Sequence, residues 1–240
     1  MRRHLTGLSD RAALHAAATP LPDLVGEDLA CRRGERVIFA GASFRVPPGG
    51  ALYLTGANGS GKSSLLRLVA GLLRPASGRL LWGTSAVGVG FATHHSRLHY
   101  VGHQDALKAA MTPREMLAFW AALRGQRQPR AAPALDEAIA TFALDTIADW
   151  PCRWLSAGQR QRVALARLLA VPAPLWLLDE PTTALDDASQ ARLEAAIEAH
   201  RAAGGMAIIA THTAMALTVA ATLNLDGYVP HVELDSVIGK

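Results

Sequence analysis

Short apolar runs alternate along this chain with longer segments whose apolar residues recur every three or four positions. Compact apolar runs at Ala51–Thr55, at residues 175–178 and at Met206–Ala210 have the length and composition of buried strands. Strands that alternate with helices are typical of a mostly parallel sheet. Residues 24–46 differ, because short apolar runs broken by glycines favour a small antiparallel sheet. The pattern therefore predicts an α/β fold built on a mostly parallel core sheet.

Capping signals predict where the helices begin. Thr112, followed by Pro113 and Glu115, has the form of a capping box with proline at the first helical position, which predicts a helix to about Leu123. Ser156 has the form of an N-cap for a long helix that ends near Leu169. Further helices are expected at residues 63–72, from the end of a loop at 125–133 to about residue 144, and within 188–201, and a short helix is expected after residue 213. A strand is expected at residues 98–101.

This element order predicts one domain with an inserted helical lobe. Residues 23–240 form that domain, with a core at 23–103 and 156–240 and a lobe at about 104–155, and residues 1–22 form a leader expected to be mobile. Half of the 240 residues are hydrophobic and 18% are charged, which suits a large core and excludes disorder. The sequence therefore predicts a folded chain of ordinary domain size.

Charge and hydropathy narrow the function classes. The net charge of +4 comes from scattered arginines with no dense basic run, so no nucleic-acid partner is expected. The longest uncharged stretch, residues 202–225, is too polar to cross a membrane, so no direct membrane insertion is expected. Two cysteines give no disulfide framework, which favours a reducing compartment.

Residues 56–63 read G-x-x-x-x-G-K-S between a predicted strand and a predicted helix, the context that a phosphate loop requires. The glycines let backbone N–H groups turn inward around a β-phosphate, and the helix N-terminus adds partial positive charge. Lys62 would reach the β- and γ-phosphates, and the Ser63 hydroxyl would bind Mg²⁺. The predicted ATP-binding residues of this loop are Gly56, Ala57, Asn58, Gly59, Ser60, Gly61, Lys62, Ser63 and Ser64.

A second apolar strand ends in two carboxylates, Asp179 and Glu180. Ligands of open α/β sheets bind at the carboxyl ends of the strands. There Asp179 would hold Mg²⁺, mostly through water, and Glu180 would be the general base that polarises the attacking water. Because two acids after a strand are common, this interpretation depends on the segment that precedes them.

That segment resembles the LSGGQ signature of ATP-binding cassette (ABC) proteins, and its residues are Leu155, Ser156, Ala157, Gly158 and Gln159. The resemblance implies that Ser156 and the Gly158 amide form a second anion site, which binds the γ-phosphate held by the opposite subunit. Two copies of the chain would then pair head to tail around two ATP molecules. Ala157 stands where glycine is usual, a departure that adds only a methyl group.

Three more positions match the ABC pattern in order along the chain. The resemblance implies that Gln104 is the Q-loop glutamine, which binds Mg²⁺ and contacts the γ-phosphate at the root of the helical lobe. It places Asp186 in the D-loop at the dimer interface and makes His212 the switch histidine that orients Glu180 and water. Glu180, His212 and Lys62 form the expected catalytic set of an active ATPase.

One family feature is missing. The aromatic residue that stacks on adenine should lie near Arg33, and no aromatic is present there. Either the Arg33 guanidinium stacks on the base or the arginine is simply exposed. The choice between ATP and GTP stays open at this point.

A single cassette without a fused membrane segment favours a transporter subunit that docks on a separate permease. Residues 98–104 (L-H-Y-V-G-H-Q), Leu107, Lys108, residues 112–117 and residues 31–36 (C-R-R-G-E-R) resemble the ATP-binding subunits of the cytochrome c maturation haem exporter, the CcmA family. Met116 stands where that family usually has asparagine.

This resemblance implies partners and a location. The partners are an integral membrane permease and haem-handling membrane proteins, and the place is the cytoplasmic side of the bacterial inner membrane, peripherally bound. Hydrolysis would export haem or release a haem-loaded chaperone. The alternatives are a subunit of another ABC exporter and an ATP-gated clamp that remodels a membrane complex without moving a substrate.

Two surface hypotheses complete the prediction. The permease is expected to contact the segment around Leu107, Met111 and residues 112–120, because Met116, Phe119 and Trp120 cannot all face the core. The alternative is that these side chains pack only within the lobe. Four histidines lie in a polar loop and around the strand that enters the Q-loop: His94, His95, His99 and His103. They could bind haem or a metal ion, but no cysteine or carboxylate joins them at ligand spacing, so we favour a solvated or structural role.

Overall fold

The computed structural model describes residues 21–87, 91–125, 132–212, 215–218 and 220–229. The predicted leader therefore lies outside the described residues, apart from Leu21 and Pro22. The strands are β1 (Leu24–Arg33), β2 (Arg36–Val46), β3 (Ala51–Thr55), β4 (Ser77–Trp82), β5 (Ser85–Ala86), β6 (Leu98–Val101), β7 (Leu175–Asp179), β8 (Met206–Ala210) and β9 (Ala221–Asn224).

The helices flank these strands. They are α1 (Lys62–Val69), α2 (Phe91–Ser96), α3 (Pro113–Leu123), α4 (Ala132–Thr141), α5 (Ala157–Ala170) and α6 (Asp187–Ala202). Short 3₁₀ turns occupy Asp145–Ile147, Cys152–Trp154 and Leu225–Tyr228. None of the helices in the described ranges has the length and apolar character needed to cross a bilayer.

The core is a parallel sheet in the order β6-β7-β8-β3-β9, beside an antiparallel sheet in the order β2-β1-β4-β5. Every residue of β7 and β8 is buried, as expected for parallel strands covered on both faces. The predicted α/β fold with a mostly parallel core and a small antiparallel sheet is confirmed.

Alternate residues of β7 belong to two different hydrophobic clusters. Trp176 and Leu178 pack in a cluster with residues of α3, α4, α5 and α6. Leu175 and Leu177 pack in a second cluster with α1 and the antiparallel sheet. Because strand side chains alternate between faces, β7 separates the two clusters, and α5 connects the helices of residues 113–141 to the core sheet.

The predicted caps form as expected. Thr112 and Glu115 make both hydrogen bonds of a capping box at α3, and Ser156 and Gln159 make both at α5. The first helix is shorter than predicted, since it ends at Val69 and Gly71 follows in a left-handed conformation with φ 74°.

Two local predictions were wrong. Residues 215–218 are not helical, and the chain instead forms β9, which pairs in parallel with β3 at the edge of the core sheet. Only Leu223 of β9 is buried, so its pattern carried no clear strand signal. His94 and His95, expected in a polar loop, lie in α2.

Candidate nucleotide site

The phosphate loop connects β3 to α1 through glycines in left-handed conformations. Gly59 has φ 86° and Gly61 has φ 105°, values that favour glycine. A Cβ at Gly61 would lie 2.8 Å from Phe39 Cδ1 and from Ile38 Cγ2, so a side chain there would also clash. None of the described side chains caps α1, whose first turn has no acidic residue. Its N-terminal amides are therefore available to an anion.

Lys62 is buried and points back into the phosphate loop. Its Nζ donates to the carbonyl oxygens of Gly56 at 2.7 Å and Ala57 at 3.1 Å. Both acceptors are neutral, so the ammonium charge is available to a bound polyphosphate. Lys62 is thus at the place where the sequence predicted a phosphate ligand.

Asp179 lies at the end of β7 and contacts two hydroxyl groups. The Ser63 hydroxyl donates to its Oδ1 at 2.9 Å, and the Tyr100 hydroxyl donates to its Oδ2 at 3.3 Å. Burial, followed by the nearby Asp179 charge, raises the pKa of Tyr100, which keeps its hydroxyl a hydrogen-bond donor. The sequence argument brought Ser63 and Asp179 together but did not include Tyr100.

Glu180 and His212 face each other where β7 and β8 end. Glu180 has φ 51° and its backbone N–H donates to the carbonyl oxygen of Ala210 at 2.8 Å. Its Oε1 lies 3.3 Å from His212 Nε2, and its Oε2 accepts from the His212 backbone N–H at 3.3 Å. Since β7 and β8 are neighbours in register, the two predicted catalytic side chains meet at the same sheet edge as Asp179.

The signature segment contacts the predicted D-loop of the same chain. A Cβ at Gly158 would lie 2.5 Å from the carbonyl oxygen of Ala184, so only glycine allows this approach. Gln161 Nε2 donates to the carbonyl oxygen of Pro181 at 3.0 Å. Asp186 caps α6 by accepting from the Ser189 backbone N–H at 2.8 Å, and hydrogen bonds from Ser189 lower its pKa.

Gln104 is exposed, and its neighbour Asp105 connects it to the signature helix α5. Arg160 Nε donates to Asp105 Oδ2 at 3.0 Å, and Arg160 Nη1 donates to the carbonyl oxygen of Leu155 at 3.2 Å. The first of these contacts joins the two predicted motifs that lie at either end of the lobe.

Two arginines, which sequence reasoning missed, hold the outer edge of β6. Arg124 donates to the carbonyl oxygens of Ser96, at 2.8 Å, and Leu98, and Arg167 donates to that of Tyr100. The carbonyls of Leu98 and Tyr100 lie on the side of β6 away from β7, where no strand in the described part of the sheet pairs with them. Burial lowers the pKa of Arg167 to about 10.

The structure bears on two further sequence hypotheses. Arg33 is exposed at the end of β1, and Arg32 Nη2 pairs with Glu35 Oε2 at 3.4 Å.

His94 Nε2 donates to the carbonyl oxygen of Val69 at 2.7 Å, while its Nδ1 accepts from Trp82 Nε1 at 3.0 Å. His99 Nε2 donates to the carbonyl oxygen of Val171 at 2.6 Å. His94 and His99 are therefore buried structural residues.

The expected permease surface needs one correction. Met116 is only 1% exposed, so it cannot contact a partner. Phe119 and Trp120 are partly buried against the hydrophobic cluster that contains Met116. Arg167 lies over the Trp120 ring at 5.1 Å, which accounts for part of that burial. The large exposed apolar side chains of this region are instead Leu123, Trp150 and Trp154, at 68%, 51% and 65% exposure.

The site combines the predicted phosphate loop, the two carboxylates at the end of β7, His212 and the signature-like segment at the start of α5. This combination is typical of an ABC-type ATP-binding domain. The ABC transporter family matches residues 39–183. Two solved structures share the fold: a putative ABC transporter ATP-binding protein from Pyrococcus furiosus, 20% identical with a TM-score of 0.73 over 87% of this chain and 100% of that one, and an ABC transporter ATP-binding subunit, 24% identical with a TM-score of 0.73 over 79% of each chain.

Curated relatives narrow the class. The cytochrome c biogenesis ATP-binding export protein CcmA of Rhodospirillum rubrum is 58% identical over 85% of this chain and 86% of its own length. The CcmA proteins of Paramagnetospirillum magneticum and Agrobacterium fabrum are 51% and 43% identical, over 87% and 86% of this chain and 96% of each relative. The chain belongs to the CcmA family of ABC transporter ATP-binding proteins, which are ATP hydrolases.

Proposed function

We propose that this chain is the ATP-hydrolysing subunit of a membrane export complex for cytochrome c biogenesis, which exports haem or releases a haem-loaded chaperone. The proposed ATPase activity is supported mainly by one observation. Glu180 contacts His212 beside Asp179, at the sheet edge next to the phosphate loop. The biological role rests on membership of the CcmA family.

Glu180 would act on water. Its carboxylate accepts a proton from the attacking water, whose oxygen forms a bond to the γ-phosphorus while the bond to the bridging oxygen breaks and ADP leaves. His212 holds that carboxylate from one side through its Nε2 and its backbone N–H. Lys62 and the α1 amides neutralise the phosphate charge as it shifts toward the leaving oxygen.

The donor set around Asp179 fits Mg²⁺. A hydroxyl and a carboxylate oxygen lie 2.9 Å apart at Ser63 and Asp179, and Mg²⁺ prefers such oxygen ligands and takes few from the protein. Ser63 and Asp179 would hold the ion, with Gln104 as the third expected ligand. When bound, the ion neutralises phosphate charge.

A second copy of the chain would complete each ATP site. Ser156 and the Gly158 amide lie at the start of α5, where they would bind the γ-phosphate held by the partner copy. Asp186 would lie at the same interface. The lobe at about 104–155 and the core at 23–103 and 156–240 remain our proposed division, supported by the packing of α3 and α4 on α5.

The proposed complex is bound to the cytoplasmic face of the inner membrane through its permease. We place the permease contact at Leu107 and Met111, extended to exposed Trp154. The backbone N–H of Cys152 donates to the carbonyl oxygen of Met111 at 2.9 Å and that of Arg153 to Ala109 at 3.0 Å, so the two segments form one continuous surface.

A cellular experiment tests the proposed function. Replacing the chromosomal gene with Lys62→Ala should abolish haem-stained c-type cytochromes, whereas the control Arg79→Ala, an exposed change on β4, should keep the wild-type level. Normal c-type cytochromes in the Lys62→Ala strain would refute the role in their biogenesis. Haem transport into vesicles that carry the whole complex then separates an exporter from an ATP-gated clamp, since only an exporter accumulates haem.

A further inference from the structure

The phosphate loop is held at its beginning by a carboxylate that belongs to none of its motifs. Asp226 Oδ1 accepts a hydrogen bond from the Ala57 backbone N–H at 2.8 Å. A Cβ at Gly56 would lie 2.9 Å from the same oxygen. The carboxylate therefore contacts the first two residues of the loop.

The fold delivers Asp226 to this position from the edge of the core sheet. Asn224, the last residue of β9, pairs with Thr55, the last residue of β3. Its Oδ1 accepts from the Asp226 backbone N–H at 3.0 Å, and Leu225 between them is fully buried. The turn that carries Asp226 is thus anchored beside the strand that leads into the phosphate loop.

One peptide group joins Asp226 to Lys62. The carbonyl of Gly56 and the N–H of Ala57 belong to the same peptide unit, which is planar. Its oxygen accepts from Lys62 Nζ at 2.7 Å while its N–H donates to Asp226 Oδ1 at 2.8 Å. Two charged groups of opposite sign thereby hold this peptide from its two sides, and charge-assisted hydrogen bonds are the stronger kind.

The negative charge of Asp226 would by itself disfavour ATP binding, so the position of this side chain points to another role. A carboxylate beside a polyphosphate site repels the ligand, so an aspartate with no other role would weaken ATP binding. We propose that Asp226 is a positioning residue for ATP binding, which fixes the Gly56–Ala57 peptide and through it the Lys62 ammonium. This inference rests on the role of Lys62 under the proposed function.

Nucleotide affinity of three variants tests the proposal. Asp226→Ala removes the acceptor, and it should raise the KM for ATP and the Kd for the non-hydrolysable analogue AMP-PNP on the order of 5- to 10-fold. Because Lys62 also neutralises charge in the transition state, kcat should fall as well. Asp226→Asn keeps an acceptor oxygen without the charge, so it should bind AMP-PNP more tightly than Asp226→Ala does. Asp145→Ala, which removes an exposed carboxylate in the lobe segment, is the matched control.

The outcomes separate the possibilities. Equal or tighter binding by Asp226→Ala would show that the carboxylate only repels nucleotide, and Asp226→Asn as weak as Asp226→Ala would exclude the acceptor role; either overturns the proposal. If Asp226→Ala does not fold, Asn224→Ala, which loosens the turn but keeps the carboxylate, should raise KM in the same direction, and an unchanged KM counts against the proposal. Wild-type protein that binds no AMP-PNP would refute the proposed function itself.

Discussion

The Ser63 hydroxyl donates a hydrogen bond to Oδ1 of Asp179 at 2.9 Å. Ser63 lies in the first turn of α1 and Asp179 at the end of β7, so this contact joins the phosphate loop to the acidic edge of the sheet. Parallel strands end at the same edge, which is why residues far apart in sequence meet there.

The Glu180→Gln variant should bind ATP and fail to hydrolyse it. The amide keeps the shape of the side chain but cannot accept a proton from water, and loss of such a base typically lowers the rate by about 100-fold or more. The trapped species should be a dimer with two ATP molecules, measured by size-exclusion chromatography with light scattering in saturating Mg-ATP. Glu35→Gln, an exposed change of the same type, is the control. A strictly monomeric Glu180→Gln protein, even with its permease, would contradict the head-to-tail arrangement.

Tyr100→Phe should change the Mg²⁺ dependence of hydrolysis more than its maximal rate. The variant removes the donor to Asp179 Oδ2, so the carboxylate loses one of the two hydrogen bonds that orient it. We expect the Mg²⁺ concentration for half-maximal activity to rise severalfold, about the effect of one lost hydrogen bond, with kcat near wild type at saturating Mg²⁺.

The matched control for this measurement is Tyr53→Phe. It also removes a tyrosine hydroxyl, which donates to the carbonyl oxygen of Met215 at 3.1 Å and does not contact Asp179. A Mg²⁺ titration of Tyr100→Phe that superimposes on that of wild type would exclude the orienting role.

Most motif residues were predictable because the residue type, and its position after an apolar strand, can be recognised from neighbouring residues in the sequence. Asp179 and Glu180 lie at the carboxyl end of β7, and Lys62 lies at the start of α1 after the loop that follows β3, as the alternation of strands and helices implied. The role of His212, after β8, was predicted only from the resemblance to ABC proteins.

The missed residues depend instead on tertiary pairing. Asp226 reaches the phosphate loop only because β9 pairs with β3, and β9 has a single buried side chain. Arg167 has the sequence character of a solvated arginine on an amphipathic helix, yet it donates to an edge carbonyl of β6 under Trp120. A local pattern does not show which strand edge will need such donors.

Acid should destabilise the protein partly through His99. Burial lowers the pKa of His99 to about 3, while an unfolded histidine titrates near 6.5. Between these values the unfolded state binds the proton and the folded state does not, so stability is lost as the pH falls below about 6.5 and continues to fall toward about 3. One such proton contributes at most about 1.4 kcal/mol per pH unit.

The His99→Gln variant isolates this contribution. Urea unfolding at several pH values between 7 and 4 should show a shallower fall in unfolding free energy than in wild type, because the titrating group is gone. His103→Gln, an exposed change of the same type, should keep the wild-type slope. An unchanged slope in His99→Gln would show that the buried imidazole is not a source of the acid sensitivity.

The permease surface can be mapped with single cysteines, since both native cysteines, Cys31 and Cys152, are buried. A cysteine at Met111, which is partly buried beside the Q-loop segment, should crosslink to the permease in the assembled complex. We expect the yield to change with ATP and vanadate, because Arg160 and Asp105 connect this segment to the signature helix and the nucleotide would move both together.

A cysteine at Leu72, an exposed apolar position after α1, is the control and should stay unlinked. Strong crosslinks from Leu72 with none from Met111 would place the permease on the other side of the domain.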